Sequence, residues 1–147
     1  SRLSNQVREK VFKKKYLAVV DGKFEQNKGT LEDYLYKDER NNMSKVVSKD
    51  KKNAKFAKLD YKVLKYNEVK NLSLVEVNLH TGSHHQIRVQ FSSRNLPLYG
   101  DNKYNKNAKV GEQIALFAKK IEFIHPTTKE KMVFELDLPN KYPLNIF

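Results

Sequence analysis

The stretch Leu79-His80-Thr81-Gly82-Ser83-His84-His85-Gln86-Ile87-Arg88 concentrates the side chains of this 147-residue chain that could do chemistry. The imidazoles raise the question of a metal. Adjacent residues on a helix diverge by about 100 degrees, Gly82 interrupts the spacing from His80, and no cysteine or glutamate completes a ligand set, so His80, His84 and His85 do not read as a zinc site. Gly82-Ser83-His84 is no nucleophile elbow either, because the second glycine is missing and no acid follows in a fitting order. A turn at Thr81-Gly82 leading into a helix would present backbone N–H groups suited to phosphate, with His84 and His85 beside them. Arg88 carries a guanidinium that is always charged and binds carboxylate in two-point geometry, although by itself it reads as a helix-surface cation. Tyr16 by itself reads as a strand aromatic in the core. Asp101 reads as a structural turn aspartate that bonds its own backbone.

These residues need elements to hold them. Leu3 and Val7 are four apart among polar residues, as in the tail of an amphipathic helix over Leu3 to Lys10. Tyr16-Leu17-Ala18-Val19-Val20 predicts a buried strand that stops at Asp21-Gly22. Gly29 to Leu35 fits a short turn of helix or an extended edge, and Met43–Val47 a short strand within a polar segment. Alternation from Ala54 to Tyr66 and from Asn71 to Leu79 predicts two antiparallel strands turning near Asn67. The period then changes: Ile87 and Phe91 are four apart, which predicts a helix from His84 to Arg94 with Ser83 as N-cap. Pro97 to Asp101 is loop, and Ile114–Ile124 with Met132–Leu136 predicts a second hairpin. The elements together predict an α+β fold: a largely antiparallel mixed sheet with flanking helices.

The length suits one domain spanning 1–147. Lys and Arg number 29 against 17 Asp and Glu, a formal charge of +12 and a pI of about 9.7, which favours a polyanionic partner such as nucleic acid; a solvated lysine surface is the plain alternative. Without cysteine there is no disulfide framework and no thiolate metal site. No apolar run is long enough to cross a bilayer and nothing reads as a secretory signal, so the expectation is no membrane and a cytoplasmic location.

Four strings, in order, resemble the RluA-like (RluA/RluD-type) family of RNA pseudouridine synthases. They are Lys14 to Gly22, Leu79 to Gln90, Pro97 to Asp101, and Ala115-Leu116-Phe117-Ala118 with Phe123-Ile124-His125-Pro126. The resemblance implies the C-terminal part of that family's catalytic domain and the isomerisation of uridine in rRNA or tRNA to pseudouridine. It implies no cofactor and no metal. It also implies a catalytic aspartate in a His-Arg-Leu-Asp motif upstream of this chain, so the 147 residues alone are expected to be inactive. By the same resemblance Tyr16 is the residue that packs on the target base, and Arg88 is the cation that pairs with that aspartate. RNA contacts are expected at Lys14, Lys15, Thr81, Gly82, His84, His85 and Gln86. The family usually has arginine at Ser83 and histidine at Leu96, so two polar groups of its pattern are changed here. The competing function is a non-catalytic basic RNA-binding module, and truncation would leave surfaces that favour dimerisation or aggregation.

Overall fold

The computed structural model describes residues 11–125 and 127–147, so the helical tail expected at Leu3 to Lys10 lies outside the described residues. The chain forms strands β1 (Val11–Asp21), β2 (Lys28–Asp38), β3 (Met43–Val47), β4 (Lys55–Asn67) and β5 (Leu72–Leu79), then helix α1 (Gln86–Ser92), then β6 (Leu116–Ile124) and β7 (Lys131–Glu135). They build a seven-stranded sheet in the order β3-β2-β4-β5-β1-β6-β7. Every pairing is antiparallel. The sheet is therefore antiparallel throughout and not mixed. Among the described residues one α-helix and a 3-10 turn at Leu144–Ile146 accompany it, fewer than the flanking helices expected.

Strand β1 is covered on both faces, which is why Tyr16 to Val20 reads as a continuous apolar run instead of an alternating one. Ala18 and Val20 face the helix side, within a cluster that includes Leu59, Val75, Val77, Ile87 and Phe91. Val19 faces the other way, against Leu72 and Ala115, with Leu144, Ile146 and Phe147 packed over them. Ile87 and Phe91 are the i, i+4 pair that ties α1 to the sheet. Phe91 is fully buried, with ring centroids 5.7 Å from Phe24 and 6.0 Å from Tyr61.

The expected hairpin is β4 with β5, joined through Asn71 in the left-handed region at φ 54. The segment read as helix or edge is the strand β2, paired on one side with β3 and on the other with β4. The expected helix from His84 to Arg94 shortens to Gln86–Ser92, and the N-cap is His85 at φ 53, not Ser83. After α1 the chain turns back along β1: Leu98 bridges to Val20, and the Tyr99 N–H donates to the Val19 carbonyl. That return brings Asp101 to the side of the helix.

Candidate active site

Arg88 projects from the third position of the helix that follows the Thr81-Gly82 turn. Its Nε donates to Asp101 Oδ2 at 2.9 Å and its Nη2 to Asp101 Oδ1 at 2.7 Å. Asp101 is wholly buried, while the Arg88 side chain keeps 20% of its exposure. The guanidinium also lies over the Tyr104 ring, 5.2 Å from its centroid. Two-point pairing at the Nε–Nη2 edge and a ring against the planar face fix the group's orientation. The Nη1 edge makes no hydrogen bond among the described residues.

Asp101 does bond its own backbone, as a turn aspartate should: Oδ1 accepts from the N–H of Lys103 at 3.1 Å and of Tyr104 at 3.3 Å. Its second task, holding Arg88, is not legible in the sequence. Tyr104 was missed as well. Its hydroxyl accepts from the Ser44 N–H at 2.8 Å and lies 2.7 Å from His85 Nδ1. A cation followed by a buried loop carboxylate is a signal the sequence carries only once the loop's path is known.

His84 and His85 stack, with centroids 3.7 Å apart, and His84 Nδ1 lies 2.8 Å from Ser44 Oγ. His80 is elsewhere, 2.7 Å from Asp60. Burial pushes the His85 pKa down to about 4, and the nearby Arg88 and His84 push the same way. His84 is lowered too, first by burial and then by Lys37 and Lys103. Both rings are neutral near pH 7.

Several expected RNA contacts are spent inside the protein. Gln86 is 3% exposed; its Oε1 accepts from Thr81 Oγ1 at 2.8 Å and from the Ser83 N–H at 3.1 Å, and its Nε2 donates to the Lys58 carbonyl. Thr81 Oγ1 in turn accepts from the Lys58 N–H at 2.9 Å. Gln86 and Thr81 thus organise the turn from within. The Ser83 N–H is not available to phosphate, and the seven-residue helix offers no N-terminal anion site of the kind expected. Lys15 pairs with Glu76 at 3.3 Å on the sheet face away from the helix, next to Lys119. Lys14, one residue earlier, points the other way, and its Nζ lies 3.6 Å from where a Cβ on Gly82 would stand.

Tyr16 shares the helix-bearing face with Lys14. Its half-buried ring packs against the cluster that contains Ile87, the neighbour of Arg88. Burial raises its phenol pKa, so the hydroxyl is protonated at neutral pH. On the same face, beyond Gly82, a groove of about 570 Å³ opens between the ends of β2 and β4 and the Gly82-Ser83-His84 loop. Lys37 and Lys55 line it.

With this geometry in place, comparison with known proteins gives one answer. The family model described as RNA pseudouridylate synthase matches residues 1–93. The chain belongs to the RNA pseudouridylate synthase family. The uncharacterized RNA pseudouridine synthase YhcT of Bacillus subtilis is 36% identical over 137 residues, covering 93% of this chain and 44% of the relative. An uncharacterized RNA pseudouridine synthase of Aquifex aeolicus is 40% identical over 101 residues, covering 63% of this chain and 32% of that protein. The chain therefore spans under half the length of these relatives. Among solved structures, human RNA pseudouridylate synthase domain containing 1 superposes with a TM-score of 0.78 at 21% identity, over 92% of this chain and 60% of that one. That likeness shows the pseudouridylate synthase fold in a sheet built as described above. The resemblance carried by the four strings is thus a family relationship, of the RluA type. Among the described residues no helix is long and apolar enough to cross a membrane.

Proposed function

We propose that this chain supplies the tyrosine and arginine of a uridine-isomerising site, and that the nucleophilic carboxylate comes from outside these 147 residues. In such a reaction the C1′–N1 bond of uridine breaks, the uracil turns, and C1′ bonds to C5. C5 then gives up its hydrogen and N1 gains one. The observation that carries the reading is the anchored guanidinium of Arg88, held at one edge by buried Asp101 and, among the described residues, without a hydrogen bond at Nη1. A carboxylate meeting that edge would be kept ionised and aimed, because a cation within a few ångströms stabilises the charged form and fixes its direction. Tyr16 suits the other requirement. A target base must leave its stack to be reached, and a protonated, half-buried ring is a neutral platform for it.

The basic composition supports RNA as the partner, and structured rRNA or tRNA is the substrate class we favour. The whole chain acts as one domain in this reading, located in the cytoplasm. The test is release of tritium from RNA labelled at uridine C5. These residues alone should release none, since neither a phenol nor a guanidinium replaces a nucleophilic carboxylate. With a segment bearing the carboxylate attached, release should appear, and Arg88→Lys should lower kcat far more than it weakens RNA binding. RNA binding with no release from any such protein would instead support the non-catalytic module. Release by the 147 residues alone would overturn the proposal.

A further inference from the structure

We infer that the groove between the ends of β2 and β4 and the Gly82-Ser83-His84 loop binds the phosphodiester backbone of unpaired RNA flanking the target uridine. The inference rests on the uridine-isomerase reading and adds to it a subsite that Lys37, Lys55 and His84 form.

Two lysines, Lys37 and Lys55, line the groove against one carboxylate, Glu39, so its balance favours an anion. Lys55 makes no ion pair among the described residues. Lys37 meets only Glu39, at 3.4 Å, with side chains 39% and 81% exposed, and a pair so open to water contributes little and yields readily to a phosphate. His84 lines the same groove. Its Nδ1 lies 2.8 Å from Ser44 Oγ, and its Nε2 makes no hydrogen bond among the described residues, which leaves that ring edge open to a ligand. The volume of about 570 Å³ lies within the range of sites that hold one small ligand, roughly 300–1,000 Å³, which suits a nucleotide or two and excludes a duplex.

Position ties the groove to the reaction. Tyr16 and Lys14 lie two residues apart on one face of β1, about 6.6 Å along the strand. The Lys14 ammonium is unpaired among the described residues and rests beside Gly82, and Gly82 lines the groove. A backbone whose target base sits on Tyr16 would pass Lys14, cross the Gly82 turn and enter between Lys37 and Lys55. Single strands are bound in this way, by a basic channel that follows phosphates and leaves base choice to other contacts. Gly82 also keeps the crossing low, since any side chain there would stand between Lys14 and the groove.

Fluorescence anisotropy with a short labelled single-stranded RNA, repeated over a range of salt, tests the inference. Lys37→Ala with Lys55→Ala should raise Kd about 10-fold and make the salt slope shallower by about 1.4, the share of two phosphate contacts on a single strand. Lys62→Ala with Lys70→Ala removes the same charge from exposed positions elsewhere and should leave both quantities nearly unchanged. Lys55→Glu should weaken binding further than Lys55→Ala. All four lysines are exposed, so melting temperatures should match the unaltered protein. In the tritium assay on protein that turns over, the groove pair should raise KM and leave kcat in place. Equal RNA affinity in the groove pair and the control pair would overturn the inference while leaving the isomerase reading intact. Failure of the unaltered protein to bind any RNA would sink both. A polyglutamate peptide whose binding needs Lys37 and Lys55, with RNA binding indifferent to them, would assign the groove to a protein partner and overturn it as well.

Discussion

Arg88 and Asp101 meet edge to edge, and the carboxylate is the member that is completely removed from water. A buried charge without its partner is costly, so the pair matters more for what its loss does than for what its formation adds. Asp101→Asn would leave a mostly buried guanidinium facing a neutral amide. Removing one member of such a pair costs about 3–5 kcal/mol, and the retained amide oxygen should hold the loss near the lower end, at about 3 kcal/mol. Urea unfolding measures this. The same variant should lower kcat in the tritium assay under conditions where it remains folded, because the cation is no longer aimed. A stability within about 0.5 kcal/mol of the unaltered protein, the range of an ordinary surface change, would mean that the pair is incidental.

Gly100 sets the position of Asp101 through the backbone. Its φ is +75, and a Cβ would collide with the carbonyl oxygen of Gln113 and stand 2.7 Å from the carbonyl carbon. Those are backbone atoms, held where the Ala115 N–H donates to the Tyr99 carbonyl at 2.9 Å. Neither side can yield cheaply. Gly100→Ala is therefore expected to cost more than about 2 kcal/mol, from left-handed strain of roughly 1–2 kcal/mol plus the collision. Gly82→Ala is the contrast: its Cβ would meet only the Lys14 ammonium at an ordinary 3.6 Å, and stability should hold.

What the sequence revealed depended on whether a residue's neighbours were local. The β4 and β5 strands were legible because Leu59, Tyr61 and Val63, then Val75, Val77 and Leu79, alternate onto one packed face. Strand β2 was ambiguous because its inward series runs Leu31, Asp33, Leu35. The apolar spacing of four imitates a helix, and the polar residue between them faces inward to receive Gln90 Nε2 at 2.9 Å and Arg94 Nη1 at 2.7 Å. The helix was drawn too long for a related reason. Ser83 reads as an N-cap and so starts the helix at His84, but the Gln86 side chain folds back onto Thr81 and Ser83, and His85 takes a left-handed conformation. In the candidate site, Arg88 was legible from its string, whereas Asp101, Tyr104 and Ser44 reach it from a loop and a distant strand.

The tie between core and site can be tested through Phe91. Its ring is fully buried against Phe24 and Tyr61, one turn beyond Arg88 on a helix of seven residues. Phe91→Ala should cost about 3–5 kcal/mol, the usual range for removing a buried aromatic. Phe91→Leu keeps most of the apolar volume and should cost less. Because the helix is too short to hold itself without its packing, both variants should lower kcat at temperatures below their melting transitions. Intact kcat in Phe91→Leu together with a clear loss of stability would show that Arg88 is positioned by Asp101 alone.

The stacked histidines should make stability depend on pH in a defined window. His85 titrates near 6.5 when unfolded and at about 4 when folded, lowered by burial first and then by Arg88 and His84, with Lys103 adding to the effect and Asp101 opposing it. Between those two values the unfolded chain binds more protons than the folded one. Stability therefore rises with pH across the window, is complete above about 6.5, and is lost progressively as pH falls towards 4. His84 is shifted in the same direction and adds to the slope. Urea midpoints measured from pH 7 down to about 4 should fall steadily for the unaltered protein, and His85→Asn should flatten much of that fall, since an amide of similar shape has no proton to gain. A slope unchanged in His85→Asn would show that carboxylates such as Glu76, whose pKa is lowered by Lys119 and Lys15 against the opposing effect of burial, account for the acid sensitivity instead.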